Sequence, residues 1–428
     1  MSEGRTLSWQ ILDEPQEIPG NLARLLDRAD DDGPQPYVPD GGRIEIVSTL
    51  EGLRALKTEW ESLERTAGAG HHFFQTYAWN AAWANVYLSG NSSTMLRILT
   101  GRQGGKLVML WPLMVTSHGP FRTLRWLTDP FGQYGDALVD PAVNARLWLQ
   151  SGWIAIRSWR DVNGISLRHV RADANVYSLL SDRCESTSDA TTGHSLDLRA
   201  FGGNPESYLA SLERSKRSRI RKRLKAASKR GDFRFEIVSD GPEYAAAVRR
   251  VVSLKRQWLR DKGLVSPVVS DPKFAEFMIA LGCGPQAQAG AAASIVSIDG
   301  AAVAIELGLR FNRHHLNYML SFDPAYANLS PSKIEIERTI STCIGDGFER
   351  YDLMAPADEY KLPWTDTAID VHNFVAANTL VGHLHTSIYL KHLRPLIKRV
   401  YRQTDGELRR RVVASARSIA AQTRAAAF

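Results

Sequence analysis

Three side chains between residues 351 and 364 have the types that proton transfer requires. The segment YDLMAPADEYKLPW places Asp352 in a short apolar run, and Tyr360 and Lys361 in the polar loop that follows. A phenol or an ammonium group can donate a proton, and a carboxylate can orient either of them. A loop held in place by a tyrosine hydroxyl and a lysine–aspartate pair explains the same residues equally well, so both interpretations stay open.

A single acid interrupts the apolar segment AVAIELGLRF at residues 302–311. Strand alternation places Glu306 on the face opposite Val303, Ile305 and Leu307. An acid at that position either faces solvent or is a buried base. Glu306 is therefore a candidate site residue, and the residues alone leave both alternatives open.

Residues 214–230 contain ten Lys or Arg and no acid. A continuous helix over Pro205–Arg230 would place Lys216 and Arg223 inside its apolar stripe, because successive residues are about 100° apart. That stripe consists of Leu209, Leu212, Ile220, Leu224 and Ala227. A buried cation is costly without an anion, so either Lys216 and Arg223 extend to solvent or they line an anion-binding cleft. The run lacks interleaved aromatic residues, which argues against nucleic-acid binding.

The segment FDPAYANLSPSKIEIE, residues 322–337, predicts a strand end, a polar loop and a helix start. Ser330-Pro331 would begin the helix with proline at its first position. Alternatively, Ser332 and Glu335 would form a capping box. The free N–H groups of such a helix start can bind a pyrophosphate, although most helix starts are only structural.

Other chemistry has little support in the sequence. The pairs His71/His72 and His314/His315 lack metal-ligand spacing, so no metal site is predicted. Neither a G-x-S-x-G element nor a G-x-x-x-x-G-K-[ST] loop occurs. Three widely separated cysteines are typical of reduced thiols.

The composition is that of a globular protein with room for two domains. The 428 residues are 44% hydrophobic and 23% charged, with a net charge of +7. The order helix, strand, helix, hairpin, strand, helix occurs twice without a residue-level repeat. A strand at residues 194–198 closes the first half, and the hairpin of the second half turns at Asp299-Gly300, which suits a type I′ turn. We expect an α/β (α+β) fold with a mixed sheet flanked by helices, divided into an acidic leader (1–42), two related domains (43–200 and 201–376) and a basic helical tail (377–428).

Localisation is predicted from the two ends of the sequence. The first residues lack the apolar segment of a secretory signal, and no window is apolar enough to span a bilayer, so a cytoplasmic protein is expected. Residues 381–402 alternate apolar and basic side chains, as in helices that lie on anionic membranes. A cap packing onto the second domain is an equally good explanation of that tail.

Five segments in order resemble the BcsL/CelD-like acetyltransferases of the cellulose-biosynthesis type, in the GNAT superfamily, with a layout similar to the FemABX aminoacyltransferases. The segments, between residues 43 and 376, are FFQTYAWNAAW, SKRSRIRKRLKAASKRGDFRFEIV, DGAAVAIEL, NYMLSFDPAYANLSPSKIEIE and YDLMAPADEYKLPW.

The resemblance implies tandem GNAT-like domains and transfer of an acyl group, typically acetyl, from acyl-CoA to an amine or hydroxyl of a small molecule or glycan. The helix start at Ser330, Ser332 and Lys333 would hold the pyrophosphate. Lys216, Arg219 and Arg223 would border the cleft between the halves. Asp352, Tyr360 and Lys361 would lie at its floor. For the direct attack on the thioester that the resemblance implies, Glu306 or Asp352 would be the base and Tyr360 the acid.

One position departs from the family: Ser332 stands where it usually has glycine, and a side chain there would keep the backbone farther from the phosphates. Two alternatives stay open beside an acyl-CoA-dependent enzyme of polysaccharide or cell-envelope metabolism. One is a FemABX-like transferase that uses aminoacyl-tRNA. The other is a non-catalytic module that assists a membrane synthase through its basic tail.

Overall fold

A computed structural model describes residues 41–88, 93–284 and 287–384 of the chain. Nearly all of the predicted acidic leader (1–42) and most of the predicted basic tail (377–428) lie outside the described residues. None of the helices in the described ranges has the length and apolar character needed to cross a bilayer.

Strands and helices alternate along the described chain. The strands are β1 (Arg43–Val47), β2 (Thr94–Leu96), β3 (Ile98–Gln103), β4 (Lys106–Trp111), β5 (Leu113–His118), β6 (Phe121–Trp126), β7 (Leu138–Val139), β8 (Gly164–Arg171), β9 (Glu185–Ser186), β10 (Thr191–Asp197), β11 (Phe233–Val238), β12 (Ala289–Ile298), β13 (Ala301–Phe311), β14 (His314–Phe322), β15 (Arg350–Met354) and β16 (Thr367–Ala377). The helices are α1 (Leu50–Ala55), α2 (Lys57–Ala67), α3 (Tyr77–Tyr87), α4 (Ala145–Arg157), α5 (Tyr177–Arg183), α6 (Pro205–Ser211), α7 (Arg214–Arg230), α8 (Gly241–Asp261), α9 (Pro267–Ser270), α10 (Phe274–Ala280), α11 (Pro331–Gly345) and α12 (Leu380–Leu384).

One large mixed sheet runs through both halves of the chain. Its order is β11-β12-β13-β14-β15-β10-β16-β8-β6-β5-β2, and β9 pairs with β16. The pairs β14–β15 and β6–β8 are parallel. A smaller sheet has the order β1-β3-β4-β7. The predicted α/β fold with a mixed sheet flanked by helices is confirmed.

Strand β10 joins the two halves. The sequence predicts that a strand at residues 194–198 closes the first half, but β10 pairs antiparallel with both β15 and β16 of the second half. Strand β16 in turn pairs with β8 of the first half. The halves therefore share a sheet by exchanging neighbours, and the domain boundaries themselves stay a prediction.

The largest apolar core also spans both halves. It contains Trp79 of α3, Phe131 and Phe277 of α10, and the rings of Trp79 and Phe277 have centroids 4.7 Å apart. Burial of such rings is the main favourable term in folding. The contact fixes α10 of the second half against α3 of the first.

The predicted long helix over Pro205–Arg230 is wrong, because Leu212 and Glu213 are extended and separate α6 from α7. The guanidinium of Arg217 donates to the carbonyl of Ala210 at 2.6 Å and so satisfies a group that the end of α6 leaves free. Only Ile220 and Ala227 of α7 are buried, so the continuous stripe from Leu209 to Ala227 does not form.

The hairpin predicted at Asp299-Gly300 is confirmed. Both residues have positive φ, 51° and 76°, as a type I′ turn requires, and β12 and β13 pair on either side of them. This hairpin sets the register of β13 and therefore the face on which Glu306 lies.

Candidate active site

The two parallel strands β14 and β15 separate after three paired positions. His314, His315 and Leu316 pair with Arg350, Tyr351 and Asp352, and both strands then continue unpaired with each other. A cavity of about 150 Å³ occupies the space beyond the last pair. It is lined by residues 317–320 of β14 and by residues 353–356 after the pairing ends. Separated strand ends of this kind are common ligand sites in open sheets.

A β-bulge in β14 lies at the same point. Leu307 is opposite Met319 and Gly308 is opposite Asn317, so Tyr318 is an extra residue without a partner in β13. A bulge leaves its extra residue out of the ladder and redirects its neighbours. The Tyr318 hydroxyl donates to the carbonyl of Phe131 at 3.0 Å, which ties the bulge to the first half.

Asp352 is buried and does not itself line the cavity, but it contacts Met354, which does. One carboxylate oxygen accepts from the backbone N–H of Met354 at 2.6 Å and from the hydroxyl of Tyr134 at 3.1 Å. The other oxygen is 3.5 Å from Arg171. Burial raises the pKa of Asp352, and the charge of Arg171 opposes this. Met354 has a positive φ of 56°, and its hydrogen bond to Asp352 helps to hold that unfavourable backbone conformation.

The amino group of Lys361 is fully engaged within its own loop. It donates to the carbonyl of Met354 at 3.1 Å and to that of Pro356 at 2.8 Å, and it lies 3.8 Å from Asp358. Burial lowers the pKa of Lys361 to about 8. Of the two interpretations that the sequence leaves open, this geometry matches a loop pinned by a lysine–aspartate pair.

Tyr360 lines the cavity, and its side chain is partly exposed. Burial and then the charges of Asp358 and Glu306 raise its pKa, so the phenol stays protonated at neutral pH. A protonated phenol at the cavity wall has the state that the predicted acid role needs.

Glu306 is completely buried in a polar network on the α11 side of the sheet. Its oxygens accept from Tyr351 at 2.6 Å and from Asn317 at 2.7 Å, and His315 lies at 2.6 Å. Burial raises its pKa, as it does for Glu335, and the pair interacts strongly. Of the two alternatives that the sequence leaves open for Glu306, the structure therefore matches a buried acid and excludes a solvent-facing one. Glu306 does not itself line the cavity, but its hydrogen bond from Asn317 connects it to a residue that does.

The cations predicted to bind phosphate gather near the start of α11. Burial lowers the pKa of Lys333, and the charges of Arg223 and Arg219 lower it further. The three cations are therefore close together. Within residues 41–88, 93–284 and 287–384, no carboxylate forms an ion pair with any of them. Three adjacent cations without acids favour an anionic ligand.

Helix α11 begins where the Ser330-Pro331 pair predicts a helix start. Pro331 is the first helical residue, and Ser330 before it has a left-handed φ of 52°. The alternative prediction, a capping box of Ser332 and Glu335, is wrong, because the Glu335 carboxylate accepts from Ser294 and Thr339 inside the network, each at 2.6 Å. Ser332 is partly exposed in the first turn of the helix.

Lys216 lies near Arg219, since burial and then the charge of Arg219 lower its pKa, but its amino group is already engaged elsewhere. Its amino group donates to the carbonyl of Pro363 and lies 4.7 Å from the ring centroid of Trp364. A carbonyl dipole and an indole face thus take the place of the anion expected at Lys216. These contacts connect α7 to the loop that carries Tyr360. Arg223 is partly buried without an ion pair in the described ranges, so its expected anion stays a prediction.

The cavity also has residues that sequence reasoning missed. They include Lys255 and Trp258 of α8 and, from other parts of the chain, Gln133, Arg168, His169, Asp189, Thr191 and Asn373. Lys255 could have been found from helix phase, because it lies four residues after Val251 and four before Leu259, both of which are buried. The residues from the first half depend on strand pairing over long sequence distances and leave no local signal.

His71, His72 and Asp136 lie close enough together for a metal ion, although no metal site is predicted. The Nδ1 of His72 accepts from the N–H of Ala69 at 2.9 Å, and its Nε2 lies 2.8 Å from Asp136. Asp136 also accepts from the N–H groups of Ala137, Asn175 and Val176. These hydrogen bonds account for both nitrogens of His72, which leaves it no lone pair for a metal.

A family model describes the second half of the chain. Residues 214–362 match the acetyltransferase (GNAT) domain. No curated protein sequence matches the chain.

Solved structures with a similar backbone have low sequence identity to this chain. FemX is 12% identical, with a TM-score of 0.55, over 81% of this chain and 99% of that chain. A tandem GNAT protein from the clavulanic acid biosynthesis pathway is 13% identical, with a TM-score of 0.42, over 78% and 99%. The C-terminal domain of a putative lysylphosphatidylglycerol synthetase from Agrobacterium fabrum is 14% identical, with a TM-score of 0.46, over 74% and 92%.

The likeness to FemX concerns the fold, and the family match concerns the sequence around the separated strands. The matched range includes α7, the bulge in β14, the start of α11 and the loop with Tyr360. Residues 214–362 are therefore a GNAT acetyltransferase domain, and the chain is a GNAT-type acyltransferase.

Proposed function

We propose that this enzyme transfers an acyl group, acetyl in the simplest case, from acyl-CoA to an amine or hydroxyl of an acceptor bound in the cavity. Acetyl-CoA is the donor that the GNAT family generally uses. The observation that carries the proposal is the separation of β14 from β15 beside a cation-bordered start of α11. The gap between the two strands would hold the donor, and the adjacent start of α11 would bind its phosphates.

On the donor side, Arg223, Arg219 and Lys333 would bind the pyrophosphate together with the N–H groups at the start of α11. Ser332 in place of glycine adds a hydroxyl and a Cβ to that turn. We assign Lys216 a positioning role, because it holds the Tyr360 loop against α7.

On the acceptor side, acyl-CoA supplies an activated thioester and the chain supplies proton transfer. Tyr360, kept protonated, would donate to the leaving thiolate. Asp358 faces the cavity, and burial raises its pKa, so it is our proposed acceptor of the proton that the nucleophile loses. Asp352, Glu306 and Lys361 would then be positioning residues that shape the floor and the strand end.

Thermal stabilisation by acyl-CoA tests the donor. Acetyl-CoA and longer acyl-CoAs at about 100 times Kd should stabilise the native chain by about 2.7 kcal/mol. The double variant Arg223→Ala/Lys333→Ala should lose affinity by about tenfold to a hundredfold, because each lost cation removes a charged hydrogen bond.

The double variant Lys225→Ala/Lys229→Ala is the matched control, since both lysines lie exposed on α7. It should bind acyl-CoA with affinity close to that of the native chain. If no acyl-CoA stabilises the native chain, or if both double variants weaken binding equally, the proposed donor site is wrong.

One observation favours a second donor, aminoacyl-tRNA. Helix α7 carries ten basic residues and no acid, which is more positive charge than one pyrophosphate uses. A tRNA donor would bind with an affinity that falls steeply with salt concentration, and the control Lys225→Ala/Lys229→Ala would then weaken it. Measuring tRNA binding between 50 and 200 mM salt separates the two donors.

The biological acceptor is proposed from the family resemblance. We propose a glycan or small molecule of polysaccharide or cell-envelope metabolism, with the enzyme acting in the cytoplasm or at the inner face of the membrane. Mass spectrometry of sugars and amines incubated with acyl-CoA would identify the product. If cells keep the function after Asp358 and Tyr360 are both substituted but lose it without residues 385–428, the non-catalytic alternative is favoured instead.

A further inference from the structure

Lys255 extends from α8 into the cavity, where the charge of Asp358 acts on it, but Asp358 is not within ion-pair distance and instead lies 3.8 Å from Lys361. Its amino group lies 4.4 Å from the ring centroid of Trp258, and the residue is only partly exposed. In the described parts of the chain, no carboxylate lies within 4 Å of this amino group and no hydrogen bond from it is formed. Burial lowers the pKa of Lys255 to about 8, so it remains mostly charged at neutral pH.

The other charged groups of the cavity already have partners. Lys361 donates to two carbonyls and faces Asp358. Arg168 lies 3.7 Å from Asp129. Lys255 thus differs from its neighbours, because a charge removed from water without a partner is costly and persists most readily where a ligand supplies the opposite charge.

Lys255 lies on the acceptor side of the sheet. Helix α8 packs against Ile305 and Leu307 of β13, whereas Glu306 between them faces α11, where the cations for the donor gather. The amide of Gln133 lines the same cavity and offers polar contacts to a ligand, whereas the NH2 groups of Asn317 and Asn373 already donate to Glu306 and Asp189.

We propose that Lys255 binds an anionic group, carboxylate or phosphate, of the molecule that receives the acyl group. This inference rests on the proposed function, since it takes the cavity as the acceptor site. The anion would balance the positive charge of Lys255, and the amine or hydroxyl of the same molecule would extend towards Asp358 and Tyr360.

Three small amines that differ only in their second group test this assignment. They are β-alanine with a carboxylate, O-phosphoethanolamine with a phosphate, and ethanolamine with a hydroxyl. Binding to the full chain is measured by ligand-observed NMR without acyl-CoA. We expect at least one anionic amine to bind about tenfold more tightly than ethanolamine, the worth of one charged hydrogen bond. Whether β-alanine or O-phosphoethanolamine binds better identifies the anion.

The preference for an anionic amine should disappear in Lys255→Met, which removes the charge but keeps most of the length of the side chain, and persist in Lys255→Arg. Lys262→Met removes an exposed charge at the end of the same helix and should leave the preference unchanged. Equal or absent binding of the three amines, or a preference that survives in Lys255→Met, overturns the inference. If the anion preference holds but no acyl-CoA stabilises the chain, the donor assignment fails and the anion site stands.

Discussion

The buried charge of Lys255 should lower the free energy of unfolding by a measurable amount. Its pKa falls from the ordinary 10.5 to about 8 in the folded chain, so the unfolded chain binds more protons between these values. Stability therefore rises with pH across that window, and the penalty is fully present below pH 8. We predict that Lys255→Met increases the free energy of unfolding at pH 7 by on the order of 2 kcal/mol.

Denaturant unfolding at pH 7, 9 and 10.5 checks this prediction. The gain from Lys255→Met should shrink towards zero at the highest pH, while Lys262→Met should have little effect throughout. A variant less stable than the native chain at pH 7 would show that Lys255 has a stabilising partner in the folded protein.

The buried pair Glu306 and Glu335 should give stability the opposite pH dependence. Burial raises the pKa of both carboxyls above 4.5, and the charge of Glu306 raises that of Glu335 further. A raised carboxyl pKa contributes stability that is present below pH 4.5 and lost as pH rises through the folded pKa. Glu335→Gln keeps the contacts to Ser294 and Thr339 with a neutral group, so we predict a smaller loss of stability between pH 5 and 8.

Urea unfolding of both proteins at several pH values measures the two slopes. Glu64, whose pKa burial raises to about 7, contributes equally to both and cancels in the comparison. Identical slopes would mean that Glu306 and Glu335 do not exchange charge in this range.

Between elements, the hydrogen bond from Tyr134 to Asp352 connects a loop of the first half to the end of β15. Gly193 of β10 leaves the room for this contact, because a Cβ there would lie 2.7 Å from the Tyr134 hydroxyl. We predict a coupling free energy of about 1 kcal/mol between Tyr134→Phe and Asp352→Asn in a double-mutant cycle. The free energies of unfolding of the two single variants and the double variant measure it.

Thr116→Ser and Asp352→Asn form a comparison cycle without contact and should be additive. Additive effects in the Tyr134 cycle would show that the loop and β15 are held together by other contacts.

The order β14, α11, β15 could be predicted from sequence because its signals are local: an alternating strand, a Ser-Pro helix start and a short apolar strand. Tyr360 and Lys361 were found for the same reason. The break between α6 and α7 was missed, since Arg217 caps Ala210 through a contact that neither propensity nor periodicity encodes. The position of β10 was missed because pairing over more than 150 residues leaves no pattern in either strand.

For the whole molecule, the exchange of strands predicts that the two halves do not fold separately. In a fragment of residues 201–384, β15 and β16 lose β10 between them and expose unpaired edges. We predict that this fragment lacks a cooperative unfolding transition, whereas residues 41–384 unfold in one step. Circular dichroism during urea unfolding distinguishes the two, and a cooperative transition in the fragment would support independent domains.

The position of β10 also has a consequence during synthesis. A ribosome that has completed β10 must make about 180 further residues before β15 and β16 can cover its two edges, at 5–20 residues per second. For that interval β10 resembles an open sheet edge, which other nascent chains can join. Since Lys361 and Asn373 are the last residues of the cavity lining to be made, the cavity is completed only when this exposure ends.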